Sequence, residues 1–81
     1  MTIRTNQVVY PDGDTQEIGW QLSINTVVDL NGNPLQLPLP TAKMIAYRVY
    51  RKSTREDRGE ETTSYYLELL NRDSIMEYVR R

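Results

Sequence analysis

The sequence predicts an α+β fold that is mainly β: a small curled antiparallel sheet or open barrel of about five strands, with a short C-terminal helix. Three observations predict it. Residues 18–30 alternate apolar and polar side chains, strong turn sequences lie on both sides of that segment, and a helix-start signal stands near the end of the chain.

The alternating segment runs from Ile18 to Leu30. Its even positions carry apolar side chains, except for one threonine: Ile18, Trp20, Leu22, Ile24, Thr26, Val28 and Leu30. A period of two predicts a β-strand with one face buried. At about 3.3 Å per residue the strand would reach roughly 43 Å, so we expect it to bend at Gly19 and Asn25. Trp20 is predicted to pack in the core, whereas an exposed Trp there would be an interaction hot spot.

The segment before it, residues 2–10, predicts a first strand joined to the second by a hairpin. Pro11 and Gly13 mark the turn, because proline presets φ and glycine tolerates positive φ. Two registers remain open. A four-residue loop would pair Ile3 with Leu22 on the core face, and a three-residue loop would place Ile3 on the other face.

A second hairpin is predicted at Asn31 and Gly32, the residue pair that best fits a type I′ turn. With these two residues as the loop, Val28 pairs with Leu35, and the three leucines that follow lie along the core face. Those leucines are Leu35, Leu37 and Leu39. The interspersed prolines at positions 34, 38 and 40 predict an edge strand or an extended cover. If the core covers only part of this leucine stripe, it becomes the predicted protein-interaction site.

The second half of the chain predicts a third hairpin. Residues 43–52 alternate and predict a strand, and the charged residues 53–61 predict a long, mobile tip. Residues 62–70 favour a strand with Tyr65, Leu67 and Leu69 facing inward. A helical stripe through Tyr66, Leu69 and Leu70 is the alternative.

The chain is predicted to end in a short helix. Asp73 or Ser74 would cap it, and Ser74 with Glu77 has the spacing of a capping box. Ile75 and Val79 would dock it on the sheet. The basic residues at positions 80 and 81 would favour the helix dipole.

Composition limits the classes of function. The 81 residues predict a single domain, 1–81, and the net charge of −1 with 38% apolar residues is typical of a soluble protein. The chain contains neither cysteine nor histidine. Disulfides, thiolate nucleophiles, His-based acid–base catalysis and the usual zinc ligands are therefore excluded. The first residues resemble neither a signal peptide nor a membrane anchor, so we expect a cytoplasmic protein with no membrane contact.

The acidic residues do not predict a metal or catalytic site. Asp12, Asp14 and Glu17 lack the ligand pattern of a calcium loop, and a plain turn explains the first two. The acidic pairs at positions 60 and 61, or 17 and 29, have no spacing that identifies a cleft. We therefore expect no metal, no cofactor and no enzymatic activity.

The third hairpin carries a local excess of positive charge beside tyrosines. Its members are Arg48, Tyr50, Arg51, Lys52, Arg55, Arg58 and Tyr66. Cations and aromatic rings on one face are what single-stranded nucleic acid requires for its phosphates and bases. If Arg48, Tyr50 and Lys52 share a face with Tyr66, this hairpin would bind such a strand. A solvated hairpin of mixed charge explains the same residues without a ligand.

The sequence thus predicts a non-catalytic binding or adaptor module that acts through protein–protein contacts, with a partner protein or with a second copy of itself. Predicted sheet edges and apolar stripes support this prediction. A single-stranded nucleic-acid-binding module is the alternative.

Overall fold

The computed structural model describes residues 3–79, which form one five-stranded curled sheet and a C-terminal helix. The elements are β1 (Ile3–Val9), β2 (Thr15–Ile18), β3 (Val27–Val28), β4 (Tyr47–Asp57), β5 (Glu60–Leu69) and α1 (Arg72–Val79). The strand order is β2-β1-β5-β4-β3. The predicted α+β, mainly β fold class is confirmed. The sheet is mixed and not antiparallel throughout as predicted, because β1 runs parallel to β5 while the other pairs are antiparallel.

The first hairpin has the three-residue loop, one of the two predicted alternatives. Val9 pairs with Thr15, and the Tyr10 amide donates to the Asp14 carbonyl at 2.8 Å. Gly13 has a φ of +95°, so it supplies the left-handed residue that follows a type I turn in such loops. Ile3 accordingly lies outside the core and is exposed.

The prediction of one long strand over residues 18–30 is wrong. β2 ends at Ile18 and β3 spans only Val27–Val28, with irregular backbone between them. Asn25, a predicted bend site, has a φ of +74°. Both Val27 and Val28 are buried, because the sheet is covered on both faces at this point. Alternation therefore no longer reports which face is solvated.

The second hairpin has a register one residue away from the predicted one. Val28 pairs with Pro34 instead of Leu35, and the Asp29 amide donates to the Asn33 carbonyl. The loop therefore has three residues, 30–32, with Gly32 at a φ of +82°. The Asp29 carboxylate accepts hydrogen bonds from the backbone amides of residues 31 and 33, which holds this wider turn closed.

The third hairpin is longer than predicted. β4 continues to Asp57 and β5 begins at Glu60, so the predicted mobile tip over residues 53–61 is wrong. Only Arg58 and Gly59 form the turn, both with positive φ, as a type I′ turn requires. A β-bulge interrupts β4 between Val49 and Arg51. Residues 62–69 are strand, which confirms the favoured interpretation over the helical one.

The helix begins two or three residues earlier than the predicted caps imply. The Asn71 side chain accepts the Ser74 amide at 2.8 Å, so Asn71 is the N-cap, and the prediction of Asp73 or Ser74 is wrong. Ile75 is buried and Val79 is partly buried, as predicted for the docking face. Arg80 and Arg81 lie outside the described residues.

The core consists of two apolar clusters separated by the sheet. The first contains buried side chains from all five strands and the segment after β2: Val8, Ile18, Leu22, Val28, Val49, Tyr65 and Leu67. The second packs the helix and the irregular segment 35–46 against the opposite face, around Val27, Leu39, Ala46, Leu70 and Ile75. Away from these clusters the strands β1, β5 and β4 extend as an arm, which we define as residues 3–5, 51–57 and 60–64.

Candidate functional site

An open groove of about 730 Å³ lies beside the first cluster. It is lined by residues 10–16 of the first hairpin and by Leu30, Tyr47 and Leu69. Leu30 is 54% exposed and Leu69 is 58% exposed, although both are large apolar side chains. The groove therefore offers an apolar floor to solvent, within the size range of sites that bind small ligands or peptide side chains.

Tyr10 connects the walls of the groove. Its ring meets the ring of Tyr47 edge to face, with centroids 5.4 Å apart. Its hydroxyl donates to the Leu30 carbonyl at 2.7 Å, and the Gln16 side-chain oxygen lies 3.1 Å away. Burial raises the pKa of the Tyr10 hydroxyl, with smaller contributions from Tyr47 and Asp29. The neutral hydroxyl therefore fixes the second turn against the first hairpin.

The rim of the groove is acidic. Asp12 and Asp14 both line it, and among residues 3–79 no lysine or arginine does. The Asp12 carboxylate accepts the Asp14 amide at 3.0 Å, which fixes the turn and keeps both carboxylates in solvent at the mouth. An apolar floor with an acidic rim favours a ligand that combines an apolar group with a positive charge.

The groove residues were not predicted as a site from the sequence. Tyr10, Leu30, Tyr47 and Leu69 belong to four separate segments that only the tertiary fold brings together. Leu69 was predicted to face inward, and its strand places it on that face, but the first cluster ends before reaching it. The useful signal was Leu30, an apolar residue directly before the Asn-Gly turn.

The predicted interaction stripe at residues 35, 37 and 39 does not form one surface. Leu39 is buried in the second cluster, Leu35 is partly buried, and Leu37 is 50% exposed. After the single bridge at Pro34 the segment leaves the sheet, so these side chains no longer alternate along a strand. Only Leu37 presents an apolar surface to a partner.

Trp20 is partly exposed, at 38%, so the prediction that it packs in the core is wrong. It follows the bend at Gly19, which turns the chain away from the sheet after β2. Its indole N–H donates to the Gly32 carbonyl at 3.2 Å. The ring therefore braces the second turn from outside, with one side in water.

The set proposed for nucleic acid, in which Arg48, Tyr50 and Lys52 share a face with Tyr66, does not form. The bulge places Arg51 opposite Tyr66 and Lys52 opposite Tyr65, so these two cations lie on opposite faces of the sheet. Arg51 lies over the Tyr66 ring, 5.2 Å from its centroid. Arg48 is paired with Glu68 and donates to Asn25. Tyr50 is the exposed extra residue of the bulge, and Arg58 lies in the terminal turn.

The charges of the Tyr66 face are balanced. The strand register places three arginines and three acidic residues on it: Arg48, Arg51, Arg55, Asp57, Glu60 and Glu68. The opposite face of the arm carries Lys52 and Arg4 with Glu56 and Glu61. Neither face of the hairpin is a cationic surface, because the local excess in the sequence is divided between two faces and neutralised across strands.

Comparison with known proteins identifies the family. A family model described as "Uncharacterised Treponema protein" matches residues 2–78. The chain belongs to this family. Neither a curated protein nor a solved structure gives a significant match. Within residues 3–79, no helix of this family member has the length and apolar character needed to cross a membrane.

Proposed function

We propose that the protein is a non-catalytic module that binds an extended segment of a partner protein in the groove. The observation that carries the proposal is the combination of an exposed apolar floor with an acidic rim. An apolar side chain of the partner would lie on Leu30, Tyr47 and Leu69, and a neighbouring lysine or arginine would face Asp12 and Asp14. The lack of cysteine supports a cytoplasmic, reducing compartment for this binding.

A random-peptide display experiment tests this proposal. We expect selection against the protein to enrich peptides with an apolar residue beside a basic one. One selected peptide is then titrated by calorimetry. Leu69→Asp should weaken its binding at least about tenfold, because a charge would enter the apolar contact. Replacing Asp12 and Asp14 by Asn should weaken binding about two- to fivefold and reduce its salt dependence.

Leu37→Asp is the matched control. Leu37 is exposed to a similar degree as Leu69, but it lies outside the groove. We expect this variant to bind the selected peptide like the wild type. Loss of binding in Leu37→Asp with none in Leu69→Asp would assign the site to the leucine stripe instead. Failure to enrich any apolar–basic peptide would contradict the proposal.

Single-stranded nucleic acid is the second candidate ligand. The Arg51–Tyr66 contact supports it, because a ring with a cation above it can stack with a base. The balanced charges of both faces argue for the first candidate. We therefore expect a labelled oligothymidine to bind no more tightly than about millimolar in low salt. Micromolar binding that Arg51→Ala with Lys52→Ala abolishes, and Lys43→Ala does not, would establish the second candidate.

A further inference from the structure

The outer edge of β4 has no neighbouring strand from Arg51 to Asp57 in the part of the chain that the structure describes. β3 pairs only with Tyr47 and Arg48, and backbone hydrogen bonds from residues 25 and 26 extend this contact no further than Val49. Residues 51–57 are exposed except for Ser53, which is partly buried. A row of backbone N–H and C=O groups is therefore free to pair with another strand.

The turn determines which residues carry the free groups. Asp57 and Glu60 flank a two-residue loop, so they exchange both of their hydrogen bonds with each other. Every second residue back along β4 likewise bonds to β5. The outward-directed amides and carbonyls therefore belong to Lys52, Thr54 and Glu56.

The charges along this edge are self-complementary. The edge begins with two basic residues and ends with two acidic ones, in the order Arg51, Lys52, Ser53, Thr54, Arg55, Glu56 and Asp57. An identical antiparallel strand centred on Thr54 places Lys52 opposite Glu56 of the second copy, and Arg51 opposite Asp57. In the same register the three outward residues meet each other, so their backbone groups can bond directly.

The two neighbouring registers that also bring outward-directed backbone groups of both copies face to face are unfavourable. Centring the pair on Ser53 places Arg51 opposite Arg55, and centring it on Arg55 places that arginine opposite itself and Lys52 opposite Arg58. Like charges directly opposite each other destabilise a strand pair. The charge pattern therefore selects one register among those that satisfy the backbone.

We propose that a second copy of the chain pairs with this edge about a two-fold axis through Thr54, which joins the two sheets into one. This goes beyond the proposed function, because it uses the arm and leaves the groove free. The contact is a single strand pair, far smaller than a standard interface, so we expect a weak dimer that forms with rising concentration.

Charge-reversal variants at the two residues that face each other across the axis, Lys52 and Glu56, provide the test. Sedimentation equilibrium from about 10 µM to about 1 mM should show reversible dimerisation of the wild type. Lys52→Glu and Glu56→Lys should each weaken it at least tenfold, because each variant brings like charges together. An equimolar mixture of the two variants should form a heterodimer, because residues 52 and 56 of the two copies again carry opposite charges. The double variant should dimerise like the wild type for the same reason. Lys43→Glu, an exposed reversal outside the arm, should have no effect.

A backbone variant tests the hydrogen bonds separately. Thr54→Pro removes an amide directed away from β5, so circular dichroism should show an intact fold while the dimer is lost. In the wild type, the amides of Lys52, Thr54 and Glu56 should gain protection from hydrogen exchange as concentration rises, and those of Ser53 and Arg55 should not.

A wild type that stays monomeric to about 1 mM would overturn the proposal. So would a dimer that the single charge reversals leave intact, or variants whose mixture does not associate. The groove-binding peptide distinguishes this result from failure of the proposed function, because Lys52→Glu should bind that peptide like the wild type.

Discussion

The Tyr10 hydroxyl donates its single proton to the Leu30 carbonyl, and this hydrogen bond joins the two walls of the groove. Burial raises the pKa of this hydroxyl, so the folded state holds the proton more tightly than the unfolded chain does. The contribution of this hydroxyl to folding stability is fully present below the pKa of tyrosine in the unfolded chain, which is near 10. It is lost as pH rises through the higher pKa of Tyr10 in the folded state. The groove should therefore loosen only in alkaline solution.

Tyr10→Phe tests this role. We expect it to reduce the free energy of unfolding by about 0.5 to 1.5 kcal/mol at neutral pH, because one hydrogen bond is lost. The difference from the wild type should shrink above about pH 10, where the wild-type hydroxyl itself ionises. Urea unfolding at several pH values measures both effects. Tyr50→Phe, at an exposed position, should have little effect at neutral pH; a loss as large as that of Tyr10→Phe would contradict the assignment.

Gly32 and Gly13 separate two costs of adding a methyl group to a turn. Both have positive φ, so alanine strains each by about 1 to 2 kcal/mol. At Gly32 the new Cβ would also lie 3.3 Å from Ile18 Cγ2 and 3.5 Å from Val8 Cγ2, whereas at Gly13 nothing lies within 4 Å. Ile18 and Val8 are buried and closely packed.

We therefore expect Gly32→Ala to destabilise the fold by about 1 to 3 kcal/mol more than Gly13→Ala. Urea unfolding of the two variants measures the difference. Equal losses would mean that the turn can move outward and that the first cluster does not constrain it.

At the scale of the element, the helix depends on a residue outside it. Asn71→Ala should reduce the free energy of unfolding by about 0.5 to 2 kcal/mol, because the Ser74 amide loses its partner. Ser74→Ala keeps that amide and should cost far less. Chemical denaturation measures both, and a larger loss from Ser74→Ala would return the cap to the position that the sequence suggested.

The hairpins show what turn sequences predict. All three turns lie within the segments predicted for them, but loop length was left open at the first hairpin and was wrong at the second and third. Pro11-Asp12-Gly13 and Leu30-Asn31-Gly32 form the same three-residue loop, with glycine last. An Asn-Gly pair suits a two-residue loop equally well. The three-residue loop is favoured here because the Asp29 carboxylate accepts hydrogen bonds from the backbone amides of Asn31 and Asn33.

The bulge in β4 explains why the faces of the third hairpin were mispredicted. Alternation from Arg48 places Tyr50 and Lys52 on one face, but the extra residue at position 50 reverses the parity of everything after it. No residue in that stretch is a glycine or proline that would signal a bulge. The predicted nucleic-acid face was therefore beyond the reach of periodicity.

At the scale of the molecule, the sequence predicted the fold class and the first and third hairpins, but neither the irregular segment 19–26 nor the groove. Local patterns report neighbours along the chain, and Tyr10, Leu30, Tyr47 and Leu69 meet only when four segments converge. The covered second face was missed for the same reason. Val27 occupies a polar position in the alternation, yet the irregular segment 35–46 buries it.

Stability should be uneven along β4, because its first part borders both clusters and its second part belongs to the arm. At low concentration, the amide of Val49 should exchange hydrogen only through global unfolding, and that of Arg55, which bonds to β5, through local fraying of the arm. We expect protection factors that differ at least about a hundredfold by NMR. Similar protection at both sites in the monomer would mean that the arm and the core unfold as one unit.

The parallel pair of β1 and β5 also governs when the protein can fold. Ile3 pairs with Glu60 and Val9 with Tyr66, so an early strand of the chain meets one of the last. During synthesis the first hairpin is made long before β5, its neighbour in the sheet. The apolar face of the hairpin therefore stays exposed until β5 has been synthesised. Such distant contacts also slow folding in isolation. Nascent chains that stop before residue 60 should therefore remain protease-sensitive on the ribosome, with protection arising in one step once β5 has emerged.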